Sequence, residues 1–345
     1  MLGTNCTAFC VAPNVVATAA HCLFRKPPGR ILRLQDFTVE MGSGPQKRQS
    51  RIAGARERAG GQHIVTGTTR LRVRPPIDAG SDWALARTET PICKGRTLPV
   101  EVRKIRSIER ASDRGRMFQI AHHSDWDDWS LAYSRPCKVR GEFPSLRRAT
   151  IRRDFRNVRH LILHHCDTKG ASSGSPLLEQ TDDGIVAIGI NVGTYIQSKV
   201  LIRNGQVARK FEARPVANTA INASAFIAHI DTLASANILT ARIDIRNLQR
   251  GLARADAYRG NVDGVFGNNT RTAIIAFQKK RGLAPDGLPT RTLLAMTGGA
   301  IDLPLPAANP AARGSAEIGA TRRSAVTRAA TTGADGIARL LHRGE

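Results

Sequence analysis

The chain has 345 residues, 41% of them apolar, and its 52 Lys and Arg against 28 Asp and Glu give a formal charge of +24. The length exceeds one ordinary domain, the hydrophobicity excludes a wholly disordered chain, and no run of ~18 apolar residues encodes a membrane-spanning helix. The charge points to a polyanion nearby, or to nothing beyond an arginine habit, since Arg outnumbers Lys by about four to one.

Residues 1–232 carry short apolar runs separated by Gly, Pro, Asn and Asp. Asn14–Thr18, Ile31–Leu34, Leu71–Val73 and Gly184–Ile190 are examples, and such spacing predicts an all-β barrel or sandwich. All six cysteines fall in this region: Cys6, Cys10, Cys22, Cys93, Cys137 and Cys166. None forms a CxxC pair or sits at zinc-ligand spacing with histidine, so no metal is expected. An even number in one region reads as disulfides, hence as an oxidising compartment. Yet Met1–Cys6 lacks the basic, apolar and small-residue segments of a secretory signal.

Residues 219–234 place Ile221, Phe226, Ile230 and Leu233 at helix-like spacing, and 233–241 read as a linker. Helical periods return over 242–297, with Ile245, Leu248 and Leu252, then Ala273, Ile274 and Phe277. Asp263-Gly264 and Asp286-Gly287 mark turns, and Asn268 or Asn269 is expected to cap a helix. Residues 298–345 shift to Ala, Gly, Pro, Arg and Thr and read as a disordered tail, with room for a short helix near Ile337–Leu341.

Three segments carry chemistry: Thr18-Ala19-Ala20-His21-Cys22, Ser81-Asp82-Trp83-Ala84-Leu85-Ala86 and Gly170-Ala171-Ser172-Ser173-Gly174-Ser175-Pro176. A serine hydroxyl is a weak nucleophile at neutral pH and needs an adjacent base, itself oriented by a third group. The order His, Asp, Ser and these contexts resemble the chymotrypsin-like (trypsin-like) serine peptidases. The Ser-Gly-Ser-Pro ending and the Cys166-Asp167-Thr168 lead-in look closest to the bacterial, glutamyl endopeptidase-related branch. The resemblance spans about the first 232 residues. It implies a double six-stranded β-barrel with His21 as base, Asp82 as its orienter and Ser173 as nucleophile. It implies an oxyanion hole from the N–H groups of Ala171 and Ser173.

The resemblance also has departures. Ala171 stands where the family usually has Gly, and a Cβ at positive φ costs ~1–2 kcal/mol. Ser172 replaces the Asp that pairs with a newly cut N-terminus in the digestive enzymes. Asp167 stands where an acid selects Arg or Lys in trypsin-like enzymes, and it also reads as a scaffold element. Asn191 stands where glutamate-specific enzymes tend to carry His. Both are candidate substrate-binding residues, and no side-chain preference is assigned. By resemblance Cys6 and Cys22 form the disulfide around the histidine loop. Cys137 is one candidate partner for Cys166, which would leave Cys10 and Cys93 over, and the other pairings among the 15 that six cysteines allow stay open. The family normally has more chain before its histidine motif, so an upstream first strand and export signal are expected to be missing.

Residues 244–297 resemble the peptidoglycan-binding-like domain of bacterial wall enzymes, a small all-α three-helix bundle. Asn247-Leu248-Gln249, Tyr258, Val262-Asp263-Gly264-Val265-Phe266-Gly267, Phe277-Gln278 and Asp286-Gly287 carry this resemblance. Phe266, Phe277 and Leu283 read as core, and Tyr258 fits either core or ligand.

Other clusters weigh less. His122-His123 and His164-His165 are neighbours whose side chains face opposite ways on a strand, so neither pair readily chelates one ion. Asp125, Asp127 and Asp128 with Trp126 and Trp129 lack calcium-loop spacing. The basic stretches 47–58 and 147–159 lack the interleaved aromatics of specific nucleic-acid recognition. The expectation is a cofactor-free, exported serine endopeptidase that acts on protein or peptide and is targeted to peptidoglycan. Its rival is an inactive envelope-binding protein on the same barrel, and charge-driven nucleic-acid binding is a third class.

Overall fold

A computed structural model describes residues 5–24, 34–42, 45, 47–54, 61–69, 71–72, 74–124, 130–197, 200–203, 206–210, 214–298 and 334–342. Two compact units divide the chain: 1–236 together with 332–345, and 237–331.

The first unit holds two antiparallel sheets, the double-barrel architecture that the family resemblance implies. One is built from β1 (Cys6–Ala12), β2 (Val15–Thr18), β3 (Phe37–Met41), β4 (Arg48–Ser50), β5 (Ile64–Thr66) and β6 (Ala84–Arg87). The other comprises β7 (Met117–His122), β8 (Leu131–Tyr133), β9 (Val139–Arg140), β10 (Leu161–His164), β11 (Pro176–Thr181), β12 (Gly184–Gln197) and β15 (Arg214–Asn222). Between β12 and β15, β13 (Val200–Arg203) and β14 (Gln206–Lys210) form a separate hairpin. β-Branched and aromatic residues suit these pleated positions. Phe9, Val15 and Val16, Phe37 and Val39, Ile64 and Leu85 are buried in the first sheet. The second is centred on Met117, Val139, Ile162, Leu177, Ile188 and Ala220, with Ile108 of α1 (Ile105–Asp113) in the same cluster. Arg-rich α2 (Arg148–Asp154) lies between β9 and β10 in sequence.

Each sheet has seven strands rather than the expected six, and in the first sheet the extra one comes from the far end of the chain. β16 (Ile337–His342) lies between β1 and β3, giving the order β4-β3-β16-β1-β2-β6-β5. Its Ile337, Ala338 and Leu340 are buried. The expectations of a disordered tail and of a helix near 337–341 therefore fail for this segment. Six apolar-rich residues are too few to show a period, and only a partner strand decides their conformation. The rest of the tail, 299–333, lies outside the described residues.

Other expectations shift by a few residues. Ile31–Arg33 and Val73 lie outside the described residues, Leu34 opens a 3₁₀ turn, and Leu71 and Arg72 are not in a strand. Residues 219–222 belong to β15, because Ile221 pairs with both Leu161 and Ile190. Helix begins only after them, ending in α3 (Ile230–Ser235). The linker at 233–241 is not free chain. Arg87 donates to the carbonyl of Ala236 in the first unit, and Leu239 is buried in the second.

The second unit holds α4 (Arg242–Arg254), α5 (Asn268–Lys280) and α6 (Arg291–Gly298). Ile245, Leu248, Leu252, Phe266, Ile274, Phe277 and Leu293 form its core, and Tyr258 is buried among them. The tyrosine hydroxyl donates to the carbonyl of Asn261 at 2.7 Å. Neither asparagine caps α5. Gly267 occupies that position with extended backbone, and no side-chain cap bond is made.

Two matching clasps organise the turns of this bundle. Gln249, fully buried, accepts from the N–H of Gly264 at 2.8 Å and donates to Asp263 at 3.1 Å. Gln278 accepts from Gly287 at 2.9 Å and donates to Asp286 at 2.7 Å. In each turn the aspartate also accepts from the N–H two residues on. Gly264 and Gly287 have φ of 74° and 70°, which a residue without Cβ adopts at no steric cost.

Candidate active site

The three candidate residues sit at the ends of strands. His21 lies in a one-turn 3₁₀ helix, Ala20–Cys22, just after β2. Asp82 follows a second such turn, Ala79–Ser81, and precedes β6. β2 and β6 pair through Thr18 and Ala84, which brings these two turns side by side. Ser173 lies in the turn that leads into β11.

Asp82 holds His21 twice. Its Oδ2 lies 2.7 Å from His21 Nδ1, and its Oδ1 accepts from the His21 backbone N–H at 2.8 Å. An ionised carboxylate only accepts, so the proton sits on Nδ1 and leaves Nε2 with a lone pair. The Asp82 side chain is 3% exposed and that of His21 is 21% exposed. One partner is thus fixed in the interior while the other reaches solvent.

Ser173 is held between Cys22, which follows His21, and Thr7 of β1. Its carbonyl lies 3.9 Å from Cys22 Sγ and accepts from the N–H of Thr7 at 2.9 Å. Gly174 has φ of 87°, and a Cβ there would collide with Thr18 Oγ1 and the carbonyl of Thr7. The turn therefore packs backbone-to-backbone against the end of β2, an approach that only glycine permits. The N–H groups of Ala171 and Ser173 have no partner among the described residues. Ala171 has φ of 73°, so its Cβ sits in the strained left-handed region, as its place in the motif implies.

Buried polar groups brace this turn from below. Thr7 Oγ1 donates to the carbonyl of Ala171 at 2.8 Å and accepts from the N–H of His122 at 3.0 Å. Asn191 is 1% exposed. Its side-chain amide donates to the carbonyl of Ser172 at 3.0 Å, and its backbone carbonyl accepts from Gly174 N–H at 2.7 Å. His164 Nε2 lies 3.1 Å from Asn191 Oδ1, and His164 Nδ1 accepts from Cys166 N–H. Those two partners fix the proton on Nε2. Burial pushes the His164 pKa down to about 4, which outweighs the opposing bond to Asn191.

Asn191 is therefore not presented as a side chain for substrate. It is a strut beneath the loop. Asp167 is exposed, six residues before Ser173. Ser172 turns its hydroxyl to the carbonyl of Lys169 at 2.8 Å. Nothing in the sequence marks Thr7 or His164 as a site residue. Thr7 lies 164 residues from Ala171 in sequence, so nothing local marks it. The neighbouring pair His164-His165 divides: His164 is buried, while His165 is exposed and stacks on Phe143.

The disulfides are Cys6–Cys22, Cys10–Cys93 and Cys137–Cys166. Cys6–Cys22 follows the resemblance, Cys137 pairs with its candidate partner Cys166, and the two left over, Cys10 and Cys93, pair with each other. The sulfurs of Cys6 and Cys22 and a ring nitrogen of His21 lie within 4.8 Å of one another. The sulfurs are bonded together and so offer no thiolate to a metal. The acidic-aromatic loop of Asp125, Trp126, Asp127, Asp128 and Trp129 lies outside the described residues.

Comparisons with known proteins bear on both units. Residues 6–190 match the family model of the trypsin-like peptidase domain, and residues 242–296 match that of a putative peptidoglycan binding domain. No curated protein matches the chain. Among solved structures it is similar to a Glu endopeptidase in complex with MPD, at 14% identity and a TM-score of 0.38. That match covers 66% of this chain and 84% of the other. It is also similar to AL20, a thermostable serine protease from an extremophilic microorganism, at 17% identity and a TM-score of 0.42. There the coverage is 67% and 91%.

Proposed function

The chain belongs to the trypsin-like peptidase family, and we propose that it is a serine endopeptidase held at the bacterial cell wall by its helical unit. The observation that carries the reading is the double grip of Asp82 on His21, with the Ser173 turn packed against the strand end before that histidine. In this mechanism His21 Nε2 takes the hydroxyl proton as Ser173 Oγ attacks the scissile carbonyl. Asp82 stabilises the imidazolium. The N–H groups of Ala171 and Ser173 receive the oxyanion, each such donor being worth ~3–4 kcal/mol in the transition state. His21 returns its proton to the leaving amine, which departs and leaves an acyl ester on Ser173. Water, deprotonated by His21, then releases the acid product.

Three disulfides support an oxidising compartment, and no helix of the described residues is long and apolar enough to cross a membrane. An exported, wall-associated location fits both. The helical unit tethers the peptidase near its substrates and raises their effective concentration. The +24 charge suits an anionic envelope.

The test is labelling by a fluorophosphonate probe and hydrolysis of casein by the full chain. Wild type is expected to be labelled at Ser173 and to degrade casein, and Ser173→Ala to do neither. Equal inactivity of both would favour the rival, an envelope-binding barrel without catalysis. Sedimentation with purified peptidoglycan tests the helical unit separately.

A further inference from the structure

We propose that the C-terminal strand β16 is a positioning element of the peptidase, which holds the nucleophile turn in its working shape through β1. This rests on the peptidase reading above. β16 is not an edge addition. It pairs with β1 on one side, through Cys6–Leu340, Thr7–Arg339, Ala8–Ala338 and Phe9–Ile337, and with β3 on the other, from Ala338–Met41 to His342–Phe37. The approach to it is equally fixed. The carbonyl of Gly336 accepts from Cys10 N–H at 2.8 Å, and a Cβ on Gly336 would meet the carbonyl of Arg96 at 2.7 Å. Without β16, β1 and β3 would both lose a hydrogen-bonded neighbour.

Two of the four β1 residues that β16 pairs with, Cys6 and Thr7, reach the site. Cys6, opposite Leu340, is bonded to Cys22 beside His21. Thr7, opposite Arg339, donates its N–H to the carbonyl of Ser173 and its hydroxyl to that of Ala171, and accepts from Thr18 Oγ1. Thr7 thus links β16 to both candidate oxyanion-binding residues across a single residue. Because Ala171 is strained at φ 73°, the turn keeps that shape only while its braces hold. In sequence, the helical unit lies between the barrels and their own strand. It is therefore inserted rather than appended, and a deletion of 242–345 removes part of the peptidase with it.

The experiment uses the full chain with a specific protease site inserted within 299–333. After cleavage, the C-terminal piece is stripped in mild urea and removed by gel filtration. Two readouts follow: turnover with KM, and hydrogen exchange of the 168–176 segment. Stripping is expected to lower kcat at least tenfold with KM within twofold, and to speed exchange of that segment. A synthetic 332–345 peptide should restore both, and the same peptide carrying Ala338→Pro should restore neither, since proline removes a ladder donor in a central strand. The proposal is overturned if stripping leaves both readouts within twofold of the intact chain. It is also overturned if the losses occur and the wild-type peptide does not reverse them, which would mark β16 as a mere component of the fold. Exchange that responds in a chain whose Ser173 is never labelled would leave the strand coupling standing and sink the peptidase reading alone.

Discussion

The two units of this chain are held together by different means. All six cysteines and all nine histidines lie outside residues 237–331. The barrel unit is cross-linked, buries titratable groups and stores backbone strain at Ala171. The helical unit has no cross-link; its buried polar groups are Gln249 and Gln278, each clasping an Asp-Gly turn, together with Thr270, Arg271 and Asp286. The first arrangement must hold three side chains from distant segments in register. The second needs only to keep three helices packed. The difference teaches that the strain at Ala171 and the buried braces Thr7, Asn191 and His164 gather at the candidate site, and each prediction below perturbs one unit and leaves the other intact.

The largest expected effect is on catalysis alone. Asp82→Asn leaves the shape of the pocket but favours the wrong histidine tautomer, so kcat should fall by about 10⁴-fold. Sedimentation with peptidoglycan should be unchanged. Loss of wall binding in this variant would mean that the two units are not functionally separate.

Reduction comes next. Cys10–Cys93 closes a loop with a sequence separation of 83, and such a link contributes about 4–5 kcal/mol in the chain-entropy account. Dithiothreitol should therefore abolish the cooperative unfolding transition of the barrel unit at moderate urea and leave the helical transition in place. Circular dichroism, which weights helix, separates the two.

Acid acts on the same unit. Burial, and for His63 also the charge of Arg87, lowers the pKa of His63 and His164 from 6.5 to about 4. The unfolded chain therefore binds more protons than the folded one between these values. Stability is full above pH 6.5 and is lost as pH falls to about 4, by ~3 kcal/mol for each site. The helical unit has no histidine and no such loss. Urea midpoints at pH 7 and pH 5 should diverge for the barrels only, and His164→Gln should narrow that divergence by roughly half.

These particulars also show what a reader of the sequence meets. The His, Asp and Ser segments are legible because each carries its own local context, and the helices of 242–297 because their apolar residues repeat every turn. β16 is not legible, since its partners β1 and β3 lie about 300 residues away and its own six residues are too few to show a period. The struts Thr7, Asn191 and His164 act across the fold. Spacing along the chain marks a motif, but it does not mark what supports the motif from another strand.

A smaller effect belongs to the helical unit. Gln249→Leu strands the N–H of Gly264 and removes a donor from Asp263, at a cost of about 1–3 kcal/mol. Bonds from Val265 N–H and then Gln249 hold the Asp263 carboxyl below its ordinary range, so its pKa should also rise. The helical transition should shift to lower urea, and wall binding should weaken, while casein hydrolysis stays constant.

The smallest expected effect concerns Ala171, one of the residues where the barrel unit departs from its motif. Ala171 holds φ at 73°, which costs an L-residue ~1–2 kcal/mol. Ala171→Gly removes that strain but frees the unfolded chain, which returns about 0.5–1 kcal/mol in the opposite direction. The net gain is at most about 1.5 kcal/mol, seen as a rise of a few degrees in the barrel transition. Two outcomes then separate what the alanine does. If fluorophosphonate labelling keeps its rate in the glycine variant, the struts alone hold the turn and the alanine is a tolerated strain. If labelling slows while stability rises, the Cβ itself keeps the oxyanion-binding N–H in place, and the strain is part of how the site works.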